Sequence, residues 1–164
     1  MIRDCVPEDA ARVCAIYNYY IEESTATFEE QVLTEAAMLD RIIAIQTQFP
    51  WLVIEEEGHV LGYAYASVWK DRSAYRYACE VSVYIAKEAS GRGLGVQLYE
   101  TLCERLSAMS MHTVIGIVSL PNEASVRLHE RLGFVQVAHL REVGVKFGRR
   151  LDVGYWQRLL HAAE

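Results

Sequence analysis

The sequence predicts a mixed α/β fold, and three patterns carry this prediction. Residues 77–85 alternate between apolar and polar side chains, which is typical of a strand with one buried face. Three of the five residues 91–95 are glycines, and apolar residues at helical spacing follow them. Two runs rich in β-branched and aromatic residues, 51–55 and 60–68, flank the turn-like Glu57-Gly58-His59 and indicate an antiparallel hairpin.

The N-terminal part predicts one further strand and two helices. Residues 2–5 form a short strand, and Pro7 stands where the first turn of a helix accepts proline. Apolar residues at helical spacing continue this first helix through Tyr17. Thr34 can cap a second helix, which ends near Pro50.

The C-terminal part predicts two helices and three strands. The helix after the glycines carries an apolar stripe from Leu98 to Met109. A short helix from Asn122 to Leu132 follows later and ends at Gly133. The three predicted strands are residues 113–118, 134–141 and 151–159.

Length and composition indicate an ordinary globular protein. The chain has 164 residues, of which 52% are hydrophobic and 23% charged, so it can form a packed core and lacks the composition of a disordered chain. No internal repeat and no Gly/Ser/Pro-rich linker divides it. We therefore expect a single domain over residues 1–164.

Charge and hydropathy restrict the partners and the location. Apolar stretches such as residues 60–68 are far shorter than the roughly 18 residues of a membrane span, so we expect a cytoplasmic protein with no membrane association. A formal charge of −6 opposes the phosphate attraction on which nucleic-acid binders depend, so no such partner is expected. The four cysteines and five histidines show no metal-ligand spacing, so no metal is expected.

The most informative stretch is Gly91-Arg92-Gly93-Leu94-Gly95, called the glycine segment below. Its glycines leave backbone N–H groups unobstructed just before a helix, which is an arrangement that binds phosphate. A tight turn that only needs positive φ is the alternative for a glycine cluster on its own. The segment lacks the Lys-Ser/Thr of a nucleoside-triphosphate loop, and no acidic residue stands at the position typical of dinucleotide-binding folds.

In this segment the chain resembles the GNAT acetyltransferase superfamily, whose loop Gln/Arg-x-x-Gly-x-Gly/Ala holds the pyrophosphate of acetyl-CoA. Gly93 and Gly95 match the two glycines. Ser90 departs from the family's Gln or Arg, and Arg92 is expected to supply the missing charge. Residues 122–134, from an Asn to Leu-Gly-Phe, resemble the family's second signature.

The resemblance extends to the phosphinothricin and methionine-sulfoximine acetyltransferase branch and covers the chain from Ile2 to about Leu159, through Pro50-Trp51-Leu52-Val53 and Asp152-Val153-Gly154-Tyr155-Trp156. It implies the GNAT acyl-CoA N-acyltransferase fold, with a mixed, mostly antiparallel central sheet flanked by helices. It also implies an N-acetyltransferase that moves acetyl from acetyl-CoA to the α-amine of a small amino-acid analogue such as phosphinothricin, methionine sulfoximine or methionine sulfone.

The same resemblance implies where acetyl-CoA binds. Backbone groups of Val83 and Ile85 would pair with the pantetheine amides, as an added strand does at a sheet edge. Asn122 can cap its helix and contact the coenzyme at once. The expected coenzyme-binding residues are Val83, Tyr84, Ile85, Gly91, Arg92, Gly93, Leu94, Gly95, Val96, Asn122 and Ser125.

Glu80 is the candidate general base. It stands on the polar face of an otherwise apolar strand, where partial desolvation would raise its proton affinity. An ordinary carboxylate paired with Lys70 or Arg76 is the alternative, and the residues alone leave both open. The family resemblance favours the base.

His129 is the second catalytic candidate, and its role stays open. It shares a helical face with Asn122 and Ser125, and we expect this face to meet the coenzyme while the face of Leu128 packs. Many family members have Tyr here as a proton donor to the departing thiolate, whereas histidine can donate or accept a proton near neutral pH. A structural histidine is the alternative.

The loop of residues 69–76, called the 69–76 loop below, is the candidate acceptor-binding element. Its cations and aromatic rings precede the strand of Glu80, which favours an acceptor with anionic or strongly accepting oxygens. A solvated charged loop is the alternative. The expected acceptor-binding residues are Trp69, Lys70, Arg72, Tyr75, Arg76, Glu80 and Ser82.

Two other functions remain open. The acceptor could be a protein N-terminus or another amine, which would need an open groove, or the chain could be a non-catalytic acyl-CoA-binding module. The presence of both Glu80 and His129 disfavours the module. A homodimer is expected, from the branch and from the aromatic-rich segments 17–20 and 25–28.

Overall fold

The computed structural model describes residues 1–161, so the last three residues of the expected domain lie outside the described part. Within residues 1–161, seven strands form one sheet in the order β1-β2-β3-β4-β5-β7-β6, with four α-helices. In chain order these elements are β1 (Ile2–Asp4), α1 (Ala10–Glu23), α2 (Glu35–Gln46), β2 (Trp51–Glu56), β3 (His59–Val68), β4 (Ala78–Ile85), α3 (Leu94–Ala108), β5 (Thr113–Leu120), α4 (Glu123–Arg131), β6 (Val135–Lys146) and β7 (Arg149–Leu159).

The sheet is mixed and mostly antiparallel, as predicted. β4 and β5 are its parallel pair, and the other neighbouring strands run antiparallel. The β4–β5 pairing runs from Ala78 opposite Thr113 to Val81 opposite Gly116 and then stops, although both strands continue. The two strands therefore diverge in the middle of the sheet.

The local sequence signals act as expected. Thr34 Oγ1 accepts a hydrogen bond from the Ala37 N–H at 3.1 Å, and Asn122 Oδ1 accepts one from the Ser125 N–H at 3.1 Å, so both predicted caps are confirmed. Glu57 and Gly58 have φ of 49° and 78°, the conformation of a two-residue hairpin turn.

Two element boundaries differ from the prediction. Pro7 begins a single 3₁₀ turn, Pro7–Asp9, and the first α-helix starts only at Ala10. β6 does not end at Arg141 but continues to Lys146, because an irregularity between Leu140 and Gly144 absorbs the polar residues without ending the pairing with β7.

Helices cover both faces of the sheet. On one face α3 buries Leu98, Leu102 and Leu106 completely, and burial of each such side chain contributes roughly 1.5–3 kcal/mol. On the other face the Tyr84 ring of β4 packs edge-on against Tyr17 of α1, with centroids 5.1 Å apart. Among residues 1–161, no helix combines the length and the hydropathy that a membrane span requires.

Candidate active site

The divergence of β4 and β5 opens a cleft of about 740 Å³, called the cleft below. Residues 81–85 of β4 and 117–119 of β5 line its two sides, and the glycine segment and α4 contribute the rest of its wall. All but one of the expected coenzyme-binding residues line it, namely Val83, Tyr84, Ile85, Gly91, Gly93, Leu94, Gly95, Val96, Asn122 and Ser125.

The glycine segment presents backbone donors to the cleft. Gly93 is the N-cap residue of α3 with φ of 77°, a value that favours glycine. Gln97 is the first residue of α3 whose N–H bonds back, to the Gly93 carbonyl at 3.3 Å. The N–H groups of residues 94–96 therefore remain available at the positive end of the helix, which suits a phosphate.

Arg92 is the exception among the expected coenzyme-binding residues. Its Nη2 lies 2.7 Å from both carboxylate oxygens of Glu56 at the end of β2, and its side chain does not line the cleft. The structure therefore does not bring Arg92 to the position that would compensate for Ser90. The carboxylate of Glu56 gives the guanidinium a partner on the outer side of the glycine segment.

The β4 edge offers backbone groups to the cleft because β5 no longer pairs with it beyond Val81. Val83 and Ile85, the expected partners of the pantetheine amides, both lie on this stretch. The carbonyl of Ile85 already accepts a hydrogen bond from the Tyr20 hydroxyl. A carbonyl has a second lone pair, so this contact orients Ile85 without excluding another donor.

His129 lies deeper than the sequence predicts. It lines the cleft, yet it is 3% exposed, and its ring packs edge-on against Phe134 and Tyr99. Leu128, expected on the packing face, lines the cleft as well. The predicted division of α4 into a packing face and a coenzyme face is therefore wrong. The helix lies beside β5, where adjacent residues such as Leu128 and His129 both line the cleft and His129 also packs in the core.

The hydrogen bonds of His129 define its resting state. Nδ1 lies 2.7 Å from the Ser125 carbonyl, and because a carbonyl can only accept, Nδ1 carries the hydrogen. Burial lowers the pKa of His129 below its usual 6.5, against the smaller opposite effect of this bond. Nε2 is then a lone-pair acceptor, and within residues 1–161 it is buried without a hydrogen-bond partner.

Glu80 is a half-buried carboxylate, and within residues 1–161 it takes part in no ion pair. Burial raises its pKa, and the charge of Lys70 opposes this more weakly. Arg76 instead donates to the Ser73 carbonyl at 3.0 Å and stacks on the Tyr77 ring. The alternative of an ordinary Glu80–Arg76 ion pair is therefore wrong.

The two catalytic candidates approach the cleft from opposite faces of the sheet. A Cβ at Gly116 would lie 2.3 Å from His129 Nε2, so the histidine occupies the face to which Gly116 points. Gly116 pairs with Val81, and side chains alternate along a strand, so Glu80 points to the other face. A group held in the cleft between them would be reached by both.

A second cavity of about 510 Å³ lies beside Glu80. Ala78, two residues before Glu80 on the same face of β4, lines this cavity, and Ser82, two residues after it, lines the cleft. Glu80 itself lines neither space and stands between them along β4. The residues that line the second cavity are Trp69, Ala74, Tyr75, Tyr77, Ala78, His112, Thr113, Ile115, Val137, Tyr155 and Gln157.

The 69–76 loop divides its side chains between the second cavity and solvent. Trp69 and Tyr75 line the cavity, and their rings pack edge-on with centroids 5.3 Å apart. Lys70, Arg72 and Arg76 are exposed and do not line it. The structure thus brings the aromatic residues of the expected acceptor set to the second cavity and leaves the cations outside.

Sequence reasoning missed Ser119, which lines the cleft from β5. Ser119 is 7% exposed, and within residues 1–161 its hydroxyl has no hydrogen-bond partner. The signal was a single serine that interrupts the apolar run of β5 between Val118 and Leu120. Tyr20 and Ala26 also line the cleft, from elements far from the motifs. Residues 1–161 contain no cluster of three or more His, Cys, Asp or Glu that could hold a metal.

Comparison with known proteins identifies the family. Residues 2–154 match the domain family described as acetyltransferase (GNAT) domain, and the chain belongs to this family. It is 43% identical over 157 residues to the phosphinothricin N-acetyltransferase of Streptomyces viridochromogenes, covering 96% of this chain and 86% of the relative. It is 37% identical over 161 residues to an L-methionine sulfoximine/L-methionine sulfone acetyltransferase of Pseudomonas aeruginosa, covering 95% and 92%.

A solved structure agrees with both matches. A GNAT superfamily phosphinothricin acetyltransferase from Sinorhizobium meliloti, in complex with acetyl-CoA, superposes on this chain with a TM-score of 0.95 at 36% identity. The match covers 98% of this chain and 88% of that one. The fold and the family predicted from the motifs are therefore confirmed.

Proposed function

We propose that this chain is an acetyl-CoA-dependent N-acetyltransferase whose acceptor is the α-amine of a small amino-acid analogue of the phosphinothricin, methionine sulfoximine or methionine sulfone type. One observation carries the proposal. The cleft runs from a phosphate-binding glycine segment to Val81 and Ser82, the neighbours of Glu80, whose carboxylate burial makes more basic and no cation neutralises by direct contact. The relatives at 37–43% identity act on these acceptors by name.

The cleft fits acetyl-CoA from its phosphate end to its thioester. The free N–H groups at the start of α3 would hold the pyrophosphate, and the open β4 edge would pair with the pantetheine amides. A Cβ at Gly95 would come within 2.6 Å of Leu128 Cδ1, so the absence of a side chain there keeps this part of the cleft open.

Glu80 would begin the reaction by accepting a proton from the acceptor's ammonium group, directly or through one water. The free amine would then form a bond to the thioester carbon from the Glu80 face, and the carbon–sulfur bond would break to release CoA as thiolate. His129 Nε2, on the opposite face, would accept the proton that the nitrogen loses as the amide forms and pass it to the thiolate, so that CoA leaves as the thiol. The resting tautomer makes it an acceptor first.

The acceptor would lie across Glu80 with its side chain toward the second cavity. The uncharged chain of the amino-acid analogue would pack on the Trp69 and Tyr75 rings. Its anionic or strongly accepting oxygens would meet the solvent-side cations, of which Lys70 lies near enough to act on the pKa of Glu80.

An amine panel tests the acceptor. Purified protein and acetyl-CoA are mixed with methionine sulfoximine, methionine sulfone, phosphinothricin, spermidine and a peptide, and thiol release is measured for each. We expect the three amino-acid analogues to have the highest kcat/KM. Faster acetylation of spermidine or of the peptide N-terminus would contradict the acceptor class, and an absence of turnover with every amine would favour the binding module.

A pair of His129 variants separates catalysis from packing. We expect His129→Gln to lower kcat by about tenfold or more, because an amide cannot exchange the proton, while thermal stability changes little. His129→Ala should also lose about 2–4 kcal/mol of stability, because it removes a buried ring that packs against Phe134 and Tyr99.

The pH dependence of stability provides a second measurement on the same variants. Because burial lowers the pKa of His129, its stabilising contribution is present above the unfolded-state value of about 6.5 and is lost as pH falls through the folded-state pKa. Thermal unfolding from pH 7.5 to 5 should show this loss in wild type and less of it in His129→Gln. Full activity of His129→Gln would leave the histidine a purely structural role.

We also propose a cytoplasmic homodimer, but on a different surface from the one that the sequence indicates. Tyr17 and Thr27, from the two aromatic-rich segments, are buried inside this chain. Phe28 of the second segment is 38% exposed, but a longer run of exposed apolar side chains lies on the edge strand β6, where it coincides with a strand edge. Its exposed apolar residues are Val135, Val137, Leu140, Val143 and Val145.

Light scattering tests this interface. We expect wild type to be dimeric at micromolar concentration and the double variant Val143→Glu/Val145→Glu to be monomeric, because two buried carboxylates would oppose association. Ile43→Glu, which places the same charge at an exposed apolar position of α2, is the control and should stay dimeric. A monomeric wild type, or a dimeric double variant, would contradict the proposal.

A further inference from the structure

Lys146 is a buried cation that the proposed reaction does not use. It ends β6 and is 1% exposed, which is unusual for a lysine because an ammonium group loses its hydration on burial. Burial lowers its pKa, and the charges of Glu29 and Glu30 oppose this. A chain that buries a cation in this way holds it with specific partners.

The partners of Lys146 are two backbone carbonyls that lie far away in the sequence. Nζ donates to the Ser24 carbonyl and to the Thr27 carbonyl, each at 2.8 Å. Both carbonyls belong to residues 24–28, the 24–28 segment, which leaves the end of α1. The ammonium therefore ties this irregular stretch of backbone to the last residue of β6.

A second contact holds the same segment two residues earlier on β6. A Cβ at Gly144 would lie 2.2 Å from Phe28 Cε2, so the ring of Phe28 packs directly on the backbone of Gly144. Lys146 thus holds the segment at Ser24 and Thr27, and Gly144 contacts its last residue, Phe28. Both contacts come from a stretch of β6 that lies beyond the bulge.

The 24–28 segment reaches the cleft and, through two tyrosine rings, the face of β4 that carries Glu80. Ala26 lines the cleft itself. Thr27 Oγ1 shares a hydrogen bond of 2.8 Å with the Tyr17 hydroxyl, and the Tyr17 ring lies edge-on to Tyr84. Tyr84 lines the cleft and alternates onto the same face of β4 as Glu80.

We propose that Lys146 is a positioning residue that sets the acceptor side of the cleft through Thr27, Tyr17 and Tyr84. The inference rests on the proposed function, since it concerns the site of that reaction. Tyr84 is also in the expected coenzyme-binding set, but the coenzyme would use the backbone of the β4 edge, whereas the path from Lys146 acts on the Tyr84 ring on the Glu80 face. Loss of Lys146 should therefore affect the acceptor more than acetyl-CoA. The acceptor used is whichever amine wild type acetylates fastest.

Lys146→Met tests the proposal by comparing its effect on the acceptor KM with its effect on the Kd of acetyl-CoA. The variant keeps an unbranched side chain and removes the ammonium, and we expect the acceptor KM to rise by roughly tenfold or more through loss of positioning. The Kd of acetyl-CoA from calorimetry should stay within about twofold. Arg149→Met, which removes an exposed cation at the position paired with Lys146, should leave both constants unchanged. Equal weakening of acceptor and acetyl-CoA would overturn the proposal.

A second variant tests the path from Lys146 to the cleft. Thr27→Val removes the hydroxyl that bonds Tyr17 but keeps the carbonyl that bonds Lys146, and it should raise the acceptor KM on its own. The double variant Lys146→Met/Thr27→Val should show less than the product of the two single effects, because both act through one path. Effects that multiply fully would overturn the proposal.

Folding is controlled separately. If Lys146→Met is recovered only as unfolded protein, Thr27→Val still decides, and an unchanged acceptor KM in this variant would overturn the proposal. Failure of the amine panel in wild type would instead remove the proposed function. The two failures are therefore distinguishable.

Discussion

Glu80→Gln is expected to lower kcat by about 10²-fold or more near neutral pH while acetyl-CoA binding stays close to that of wild type. The glutamine has nearly the same shape but cannot accept the proton of the ammonium group. Glu80 lies between the cleft and the second cavity, away from the glycine segment. The acetyl-CoA affinity measured by calorimetry should therefore stay close to that of wild type although kcat falls.

The pH profile should change in a direction that the pKa of Glu80 sets. Burial raises this pKa, so the wild-type base becomes available only as pH rises through a value above the usual 4.5. At low pH little free amine exists, and the variant has no base to generate it. The deficit of Glu80→Gln should accordingly be largest just above the raised pKa of Glu80, where wild type has its base and little free amine exists, and shrink as the amine deprotonates unaided at higher pH.

Stability should move in the opposite direction from activity. A carboxyl whose folded-state pKa is raised favours folding only while it is protonated, so its contribution is complete below about 4.5 and is lost as pH rises through the folded-state pKa. Glu80→Gln should therefore melt higher than wild type near pH 7, and the difference should vanish toward pH 4. Loss of activity with a gain in stability is the pattern expected of a residue retained for chemistry.

The control for these measurements is Glu104→Gln, an exposed carboxylate of α3 that does not line the cleft. It should match wild type in rate, in pH profile and in melting temperature. A wild-type pH–rate profile in Glu80→Gln would remove Glu80 from the mechanism, whatever its effect on stability.

Features set by neighbouring residues were predictable from the sequence. Both helix caps form as expected, because Thr34 and Asn122 each bond an N–H only three residues away. The hairpin turn at Gly58 and the glycine segment also depend on local backbone freedom. These elements contribute much of the lining of the cleft, which explains why most residues proposed from the motifs lie together there.

Features set by contacts between distant residues were not predictable. Arg92 turns away from the cleft because Glu56 lies beside it, 36 positions earlier in the chain. Lys146 looks like a surface residue near a hairpin turn until the 24–28 segment folds over it, more than a hundred positions away. Side-chain direction at such positions depends on tertiary neighbours that no local pattern encodes.

The burial of His129 has the same origin. Helical spacing correctly groups it with Asn122 and Ser125, but spacing does not reveal that Phe134 and Tyr99 close over the ring. The resting tautomer follows from one contact, the carbonyl of Ser125. The geometry therefore makes Nε2 of the resting histidine a proton acceptor, whereas the residue type alone leaves donor and acceptor roles open.

Gly95→Val is expected to weaken acetyl-CoA binding by about 10²-fold or more while the protein stays folded. Gly95 lies in the first turn of α3 without a positive φ, so the valine backbone is unstrained, in contrast to Gly93 at φ 77°. The new Cβ would meet Leu128 Cδ1 at 2.6 Å, the mobile end of a side chain, and the added methyl groups would occupy cleft space.

The measurement for Gly95→Val is calorimetric titration with acetyl-CoA, accompanied by thermal unfolding. Ala108→Val, which adds a β-branched apolar side chain at an exposed position of the same helix away from the cleft, is the matched control and should bind normally. Gly95→Ala should fall between wild type and Gly95→Val, because one methyl group obstructs less space than three carbons. A graded loss of affinity with steady melting temperature is the signature of a blocked cleft. Wild-type affinity in Gly95→Val would show that the coenzyme does not approach this turn of α3 and would refute the glycine-segment assignment.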